Sequence, residues 1–388
     1  MYKIIDKKKL LVTTLADFIG KLIFYPKKFI IKQEPIDVKQ VRQILIIRTA
    51  YIGDVMMTVP ILKPLKEKFN GAHITFLTSN AAHCLLIGNP YVDRIITFDP
   101  FWFYRSSIKA YIQFINSIKT ERYDLIIEAR ADIRDLMFIV YPLRARYKIS
   151  YSIGGGEYFL THNVPYVGLK HKVDFHLDLV KYLSCNTQKV DWAVYLSDDE
   201  RQTITNIMNR YGIDTPFIAC HPGARLPLKI WPTTKCATLY DIIAQNLKKP
   251  LVIFGSYNDK PIIAEIVSLM TQKAINLAGK INLRQLSGIL KKAALFICND
   301  SAPMHIAASV QTPTVAIFGP SKSVETAPYG NIHRIVEKDF ACRYSCTESV
   351  CKFKRYHACM TDISVYDVFH QVEDILKELN PNVQNTHN

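Results

Sequence analysis

The sequence has no Walker phosphate loop and no GxGxxG dinucleotide fingerprint, so neither an NTPase nor a nicotinamide dehydrogenase has a residue-level case. Its 15 glycines and 19 prolines fall without a short period, which excludes collagen-like and low-complexity chains. No fixed period of about 20 to 50 residues signals a solenoid. The two long uncharged runs, His73 to Val92 and Ser301 to Ser321, are interrupted by Pro, Gly or Asn and read as strand, loop and helix, so neither is a membrane span. Acidic residues are few: 34 Asp and Glu face 49 Lys and Arg, for a net charge of +15.

What is present is core. Of the 388 residues 49% are hydrophobic and 21% charged, enough for roughly two domains of ordinary size and too apolar for global disorder. The basic excess points to anionic partners. Ten basic but only four acidic residues lie between Met1 and Arg42. The rest of the excess is spread thinly and no nucleic-acid motif accompanies it, so nucleic acid is not an expected partner.

Within this leader Lys7, Lys8 and Lys9 precede an apolar stretch, but Asp17 and Lys21 interrupt it and no small-residue cleavage site follows. Leu11, Leu15, Phe18 and Leu22 make one helical stripe, widened by Val12, Ile19 and Ile23 and flanked by lysines. Such a helix can lie in an anionic lipid interface or pack on the protein's own body. The neighbouring Phe24, Tyr25, Phe29 and Ile30 favour the membrane surface.

Beyond the leader, short apolar runs alternate with amphipathic stretches, as in parallel α/β folds. Strands are expected at 43–48, 73–78, 94–98 and 124–128, then at 217–220, 251–254, 275–277, 295–298 and 314–318. Ser197-Asp198-Asp199-Glu200 is a capping box opening a helix that ends near Tyr211-Gly212. The expected plan is a basic amphipathic leader (1–40) and two doubly wound domains (41–196 and 197–388) with a cleft between the carboxyl ends of their strands.

The loops that follow strands carry the candidate chemistry. Thr49-Ala50-Tyr51-Ile52-Gly53-Asp54 opens a helix directly after the first strand. Gly53 permits close backbone approach, and Asp54 is either a helix cap or a general base. In the second half, His221-Pro222-Gly223-Ala224-Arg225 and then Lys229-Ile230-Trp231 follow a strand. The glycine turn with Lys229 suits a phosphate, unless Lys229 is only a surface residue beside a core Trp. In Asn299-Asp300-Ser301-Ala302-Pro303-Met304-His305, Ser301 is an expected N-cap and Pro303 fits the first turn. That helix start offers free N–H groups to a diphosphate, with His305 near the same end.

Six stretches occur in a set order: ILIIRTAYIGDVMMTVPILKPLKEKF, NPYVDRII, YDLIIEARADIRD, IACHPGARLPLKIWP, INLAGKINLRQLSGIL and CNDSAPMHIAASVQTPTVAIFGP. Together they resemble glycosyltransferase family 9, the heptosyltransferases of lipopolysaccharide core assembly, over about Gln43 to Leu376. The resemblance implies a GT-B fold with the acceptor on the N-terminal domain and the nucleotide sugar on the C-terminal one. It implies Asp54 as catalytic base, with Gly53, Arg130 and Arg134 as acceptor contacts. Lys229, Gly223, Asp259, Asp300, Ser301, Ala302 and His305 become donor contacts, with Ala302 standing where the family has Gly. The implied reaction is inverting and metal-independent transfer from an ADP-sugar to an anionic lipid A–Kdo type acceptor. No cofactor is required, and no DxD motif lies at a likely donor loop. The implied location is the cytoplasmic face of the bacterial inner membrane. The alternative is a non-catalytic or different-donor GT-B relative that binds glycolipid at the membrane surface.

Of nine cysteines, Cys84, Cys185, Cys220, Cys236 and Cys298 are scattered, mostly in or beside strands. Cys342, Cys346, Cys351 and Cys359 cluster in segment 342–359 without a CxxC pair. Four thiols so spaced could bind structural zinc or an iron–sulfur cluster, or pair as disulfides; a cytosolic enzyme disfavours the last.

Overall fold

A computed structural model describes residues 7–28 and 34–379. The chain divides into two compact units, Met1–Trp192 and Ala193–Asn388. In the first, strands β1 (Gln43–Arg48), β2 (His73–Thr78), β3 (Arg94–Thr97), β4 (Arg122–Glu128), β5 (Arg144–Ser150) and β6 (His162–Asn163) form a sheet in the order β3-β2-β1-β4-β5-β6. In the second, β7 (Ile218–His221), β8 (Leu251–Ile253), β9 (Ile275–Asn276), β10 (Leu295–Asn299), β11 (Thr314–Phe318) and β12 (His333–Glu337) run β12-β11-β10-β7-β8-β9. All neighbours are parallel. Both units thus repeat the Rossmann order, in which strand order reverses beside the first strand and ligands bind at the carboxyl ends of the strands there. That switch point is β1/β4 in one unit and β7/β10 in the other.

The central strands read as unbroken apolar runs because helices cover both faces of a parallel sheet. In β1, Ile44 to Arg48 are all buried. Leu45 and Ile47 share one core with Leu136, Ile139, Tyr158 and Phe159. The second unit gathers Ile218, Cys220, Trp231, Tyr240, Val368 and Val372. Strands β5, β6 and β12 lack the apolar run that marks the other strands in the sequence. The sequence RARYKIS alternates charge with apolar residues, β6 has two residues, and β12 is an edge strand that leaves most of its side chains partly exposed. The capping box is present: Ser197 Oγ accepts the Glu200 N–H and Glu200 accepts that of Ser197, while Gly212 ends the helix at φ +61°.

The leader forms one helix, Lys7–Lys28, with two distinct sides. One docks on the first unit. Asp17, 1% exposed, accepts the Gly156 N–H at 2.7 Å and pairs with Lys21 at 3.1 Å. Gly20 sits where any Cβ would overlap the Tyr158 hydroxyl, and Phe24 packs among Tyr141, Tyr158 and Phe159. The other side leaves Leu11, Val12, Leu15, Phe18, Ile19, Leu22 and Ile23 in solvent, from 47% exposed at Ile19 to 71% at Leu11. At 100° per residue these seven span one continuous face. Among the described residues no helix is long and apolar enough to cross a membrane.

Candidate functional site

Each unit carries a cluster at its own switch point. In the first, β1 ends in Arg48 and the chain turns through Thr49–Tyr51 into the helix Ile52–Met56. Ser79 and Tyr104 hydroxyls both donate to the Ala50 carbonyl, at 2.8 and 2.9 Å, and fix the turn. Asp54 does not cap this helix. Tyr51 is the N-cap residue, and the Asp54 carboxylate instead pairs with Arg48 at 2.7 Å. Arg48 is 3% exposed and also donates to the Ala129 carbonyl. Burial pushes the Asp54 carboxyl upward, but the positive field of Arg48, Lys172 and Arg130 outweighs it and holds the group at about 2. His176 stays neutral, driven down to about 3 by burial and by Arg48; its Nδ1 lies 2.8 Å from the Met57 carbonyl.

Arg130 and Arg134 follow β4 but do different things. Glu128 accepts the Arg130 and Ala131 N–H groups and the Ser150 hydroxyl, which folds the turn so that Ala131 sits at φ +62°. Arg130 then lies with its guanidinium carbon 3.2 Å from the Phe103 ring centre and its Nε 3.7 Å from Asp132, in the field of Asp135 and Asp132 and, more weakly, of Asp54, and its Nη1 is buried without a hydrogen-bond partner. Arg134 holds the same Asp132 carboxylate more closely. It forks onto Asp132 and donates to the Trp102 carbonyl. Burial and the adjacent Asp135 push Glu128 above the usual carboxylate range. Gly53 lies in the first turn beside Asp54, where its carbonyl accepts the Met57 N–H.

In the second unit Lys229 ends the short turn Pro227–Lys229 and reaches Asp300 at the end of β10, 2.8 Å away. Its Nζ also pairs with Glu348 at 2.8 Å. Burial would lower the Lys229 ammonium, but the two carboxylates prevail and raise it. Ser321 donates to the same Asp300 oxygen. Asn299 donates to the Pro222 carbonyl at 2.6 Å, tying the loop after β7 to the end of β10. Gly223 lets the Asp259 carboxylate approach the loop, since a Cβ there would come within 2.3 Å of its Oδ1 and the carboxylate would have to shift. Asp259 lies 3.8 Å from His221 Nε2, and Ser301 Oγ is 3.3 Å from His221 Nδ1. Ser301 therefore occupies the N-cap position of the helix Ala302–Ser309 with its hydroxyl turned to His221 and no side-chain cap bond. Ala302 is half-buried in the first turn with Pro303, and His305 is buried one turn further on. Trp231 is core, its indole N–H donated to Ile363 O at 3.2 Å.

Sequence reasoning missed Arg48, Lys172, His221 as a bridge, and Glu348. An arginine closing the apolar run from Ile44 to Ile47 is the available signal for Arg48; Glu348 offers none. All nine cysteines are free thiols. Burial and the nearness of Cys342, Cys346 and Cys351 push Cys359 up to about 11. Among the described residues no group of three or more His, Cys, Asp or Glu is arranged to hold a metal ion. The zinc or iron–sulfur expectation at Cys342, Cys346, Cys351 and Cys359 thus finds no support.

Two Rossmann-ordered units, each with a polar cluster at its switch point, make up the GT-B fold. The sequence model of glycosyltransferase family 9 (heptosyltransferase) matches residues 111–357, and the chain belongs to that family. It is similar to lipopolysaccharide heptosyltransferase 3 of Escherichia coli K12, 28% identical over 294 residues that cover 72% of this chain and 83% of the relative. A family 9 glycosyltransferase structure from Veillonella parvula superposes with TM-score 0.74 at 22% identity, covering 88% of this chain and 99% of the other. The structure of E. coli ADP-heptose lps heptosyltransferase II gives TM-score 0.67, also at 22% identity, with 87% and 99% covered.

Proposed function

We propose that the protein transfers a heptose from ADP-heptose, with inversion, to an anionic inner-core acceptor of lipopolysaccharide. Residues 41–196 hold the acceptor and 197–388 the donor. The observation that carries this reading is Asp54, an ionised carboxylate at the β1/β4 switch point inside a basin of cations. Asp54 takes the proton of the acceptor hydroxyl as it attacks the anomeric carbon. Arg130, whose Nη1 lacks a partner, reads an acceptor carboxylate or phosphate. An anion arriving there weakens the field that depresses Asp54 and makes it a stronger base when the substrate is in place. Gly53 lets the acceptor approach, and Arg134, its guanidinium carbon 4.5 Å from the Phe103 ring centre, lines the acceptor side beside Arg130.

Lys229 and the N-terminus of the helix Ala302–Ser309 stabilise the departing diphosphate, a role that fixed dipoles and one cation can fill without a metal. Asp300, Ser301, His305, Gly223 and Asp259 shape the nucleotide side. Ala302, with its Cβ in the first turn where the resemblance expects Gly, is the feature that favours a different donor. A panel of ADP-, UDP- and GDP-sugars with a lipid A–Kdo acceptor, read by mass spectrometry with and without chelator, tests the reading. Transfer from ADP-heptose that persists in chelator is expected, and transfer only from another nucleotide sugar would overturn the donor assignment. The reading places the enzyme on the cytoplasmic face of the inner membrane, with the exposed side of the helix Lys7–Lys28 against anionic lipid.

Two substitutions probe the halves separately. Lys229→Ala should weaken ADP binding by about 1.5–3 kcal/mol, the scale of a charge-assisted contact, measured by calorimetric titration. Arg48→Gln removes the nearest cation from Asp54, so the folded carboxyl rises from about 2. A base works only when deprotonated, so the acid limb of the kcat/KM profile should move to higher pH, while Arg48→Lys moves it less. An unmoved limb in a folded variant would exclude Arg48 as the residue that positions and tunes Asp54.

A further inference from the structure

Lys229 is doubly occupied. Besides Asp300 it holds Glu348, which comes from the cysteine-bearing segment and not from the sheet. With both carboxylates in place the lysine carries a net negative cluster, a poor landing site for a diphosphate. With Glu348 withdrawn, Lys229 and Asp300 are neutral together and the ammonium has hydrogen-bonding capacity to offer.

The segment that carries Glu348 is built to hold this carboxylate from a distance. Residues 346–357 contain no helix or strand. Glu348 sits at φ +64° and its N–H points at Cys346 Sγ, 3.3 Å away. His357 repeats the device at the other end, at φ +61° with its N–H 3.3 Å from Cys351 Sγ. Neither residue is a glycine, so both backbones are held in a left-handed conformation that side chains disfavour. His357 Nε2 also meets the Leu228 carbonyl at 2.8 Å, next to Lys229 itself. Between the two anchors Val350 and Tyr356 lie in solvent. The His357 end is thus clamped to the turn that presents Lys229, while the Glu348 side chain is one-third exposed.

We propose that Glu348 is a placeholder for the donor diphosphate: it occupies Lys229 in the free enzyme, and the cysteine-bearing loop withdraws it when the diphosphate arrives. The proposal rests on the assignment of Lys229 to the donor site. Placeholder exchange fills the hydrogen-bonding capacity that Asp300 leaves on the buried ammonium in the absence of nucleotide. It also lowers affinity by the work of removing Glu348, so product ADP is released more readily. The thiols of Cys346 and Cys351 act here as acceptors that hold the loop, a role that needs no metal.

The test is titration of ADP into the full-length wild type, Glu348→Gln, Lys229→Ala and the double variant, with thermal melting to verify folding. Glu348→Gln keeps the side-chain shape and removes the charge. It should tighten ADP binding about tenfold, and this gain should vanish in the Lys229→Ala background, since coupled residues are not additive. Unchanged or weaker ADP binding by Glu348→Gln, with Lys229→Ala still defective, would overturn the placeholder and leave the donor site standing. An equal gain with and without Lys229 would reduce the effect to general charge and also overturn it. If Lys229→Ala binds ADP normally, the donor assignment and the placeholder fall together.

Discussion

Asp54→Asn should fold and bind ADP as the wild type does while turnover drops about 100-fold or more, the scale of losing a general base. Folding should survive because Asn can still accept from Arg48 over the same 2.7 Å contact, though without the ionic component. ADP binding should survive because every residue assigned to the nucleotide belongs to the second unit. The loss should appear in kcat and in kcat/KM alike, as expected for an interaction made in the transition state. Single-turnover measurement with saturating donor separates this from slow product release. Near-wild-type turnover by a folded Asp54→Asn enzyme would remove Asp54 from the mechanism and leave its ion pair with Arg48 as a structural feature only.

Replacing Leu11, Leu15, Phe18 and Leu22 with Gln should abolish most binding to anionic vesicles without lowering the melting temperature. Full burial of each such side chain is worth about 1.5–3 kcal/mol, so even partial insertion of four amounts to several powers of ten in affinity. Stability should hold because these side chains already lie in solvent in the folded chain. Vesicle binding by the wild type should also fall with salt as the lysines are screened. Substitution is a cleaner test than truncation at Lys39, which would uncover Tyr141, Tyr158 and Phe159 where Phe24 now packs. Asp17→Ala supplies the complement: it removes the partner of the Gly156 N–H, so it should lower stability while leaving the lipid face intact. Flotation of the four-Gln variant equal to wild type, or a drop in its melting temperature, would show that the stripe is packing surface.

The order of elements is legible in the sequence itself. Apolar runs such as ILII in β1, with a polar loop after each, are a local pattern that depends on neighbours in sequence. The Ser197–Glu200 capping box is equally local, and so is the Pro-started helix after Ser301. The motifs placed Asp54, Lys229 and Asp300 on loops that follow strands, and the family followed from their order. What those side chains do was decided elsewhere. Asp54 reads as a cap or a base until β1 and β4 lie side by side and bring Arg48 and Arg130 around it. Lys229 meets Asp300, 71 residues on, only because β7 and β10 are neighbours at the switch point. The leader's stripe fits a core or a lipid surface equally well until the Asp17 and Phe24 side docks and turns the stripe outward. Hydrophobic periodicity is set by short-range geometry and survives in the sequence. Charge pairing and the choice of which face is buried depend on contacts between distant segments, which exist only once the sheet order is formed.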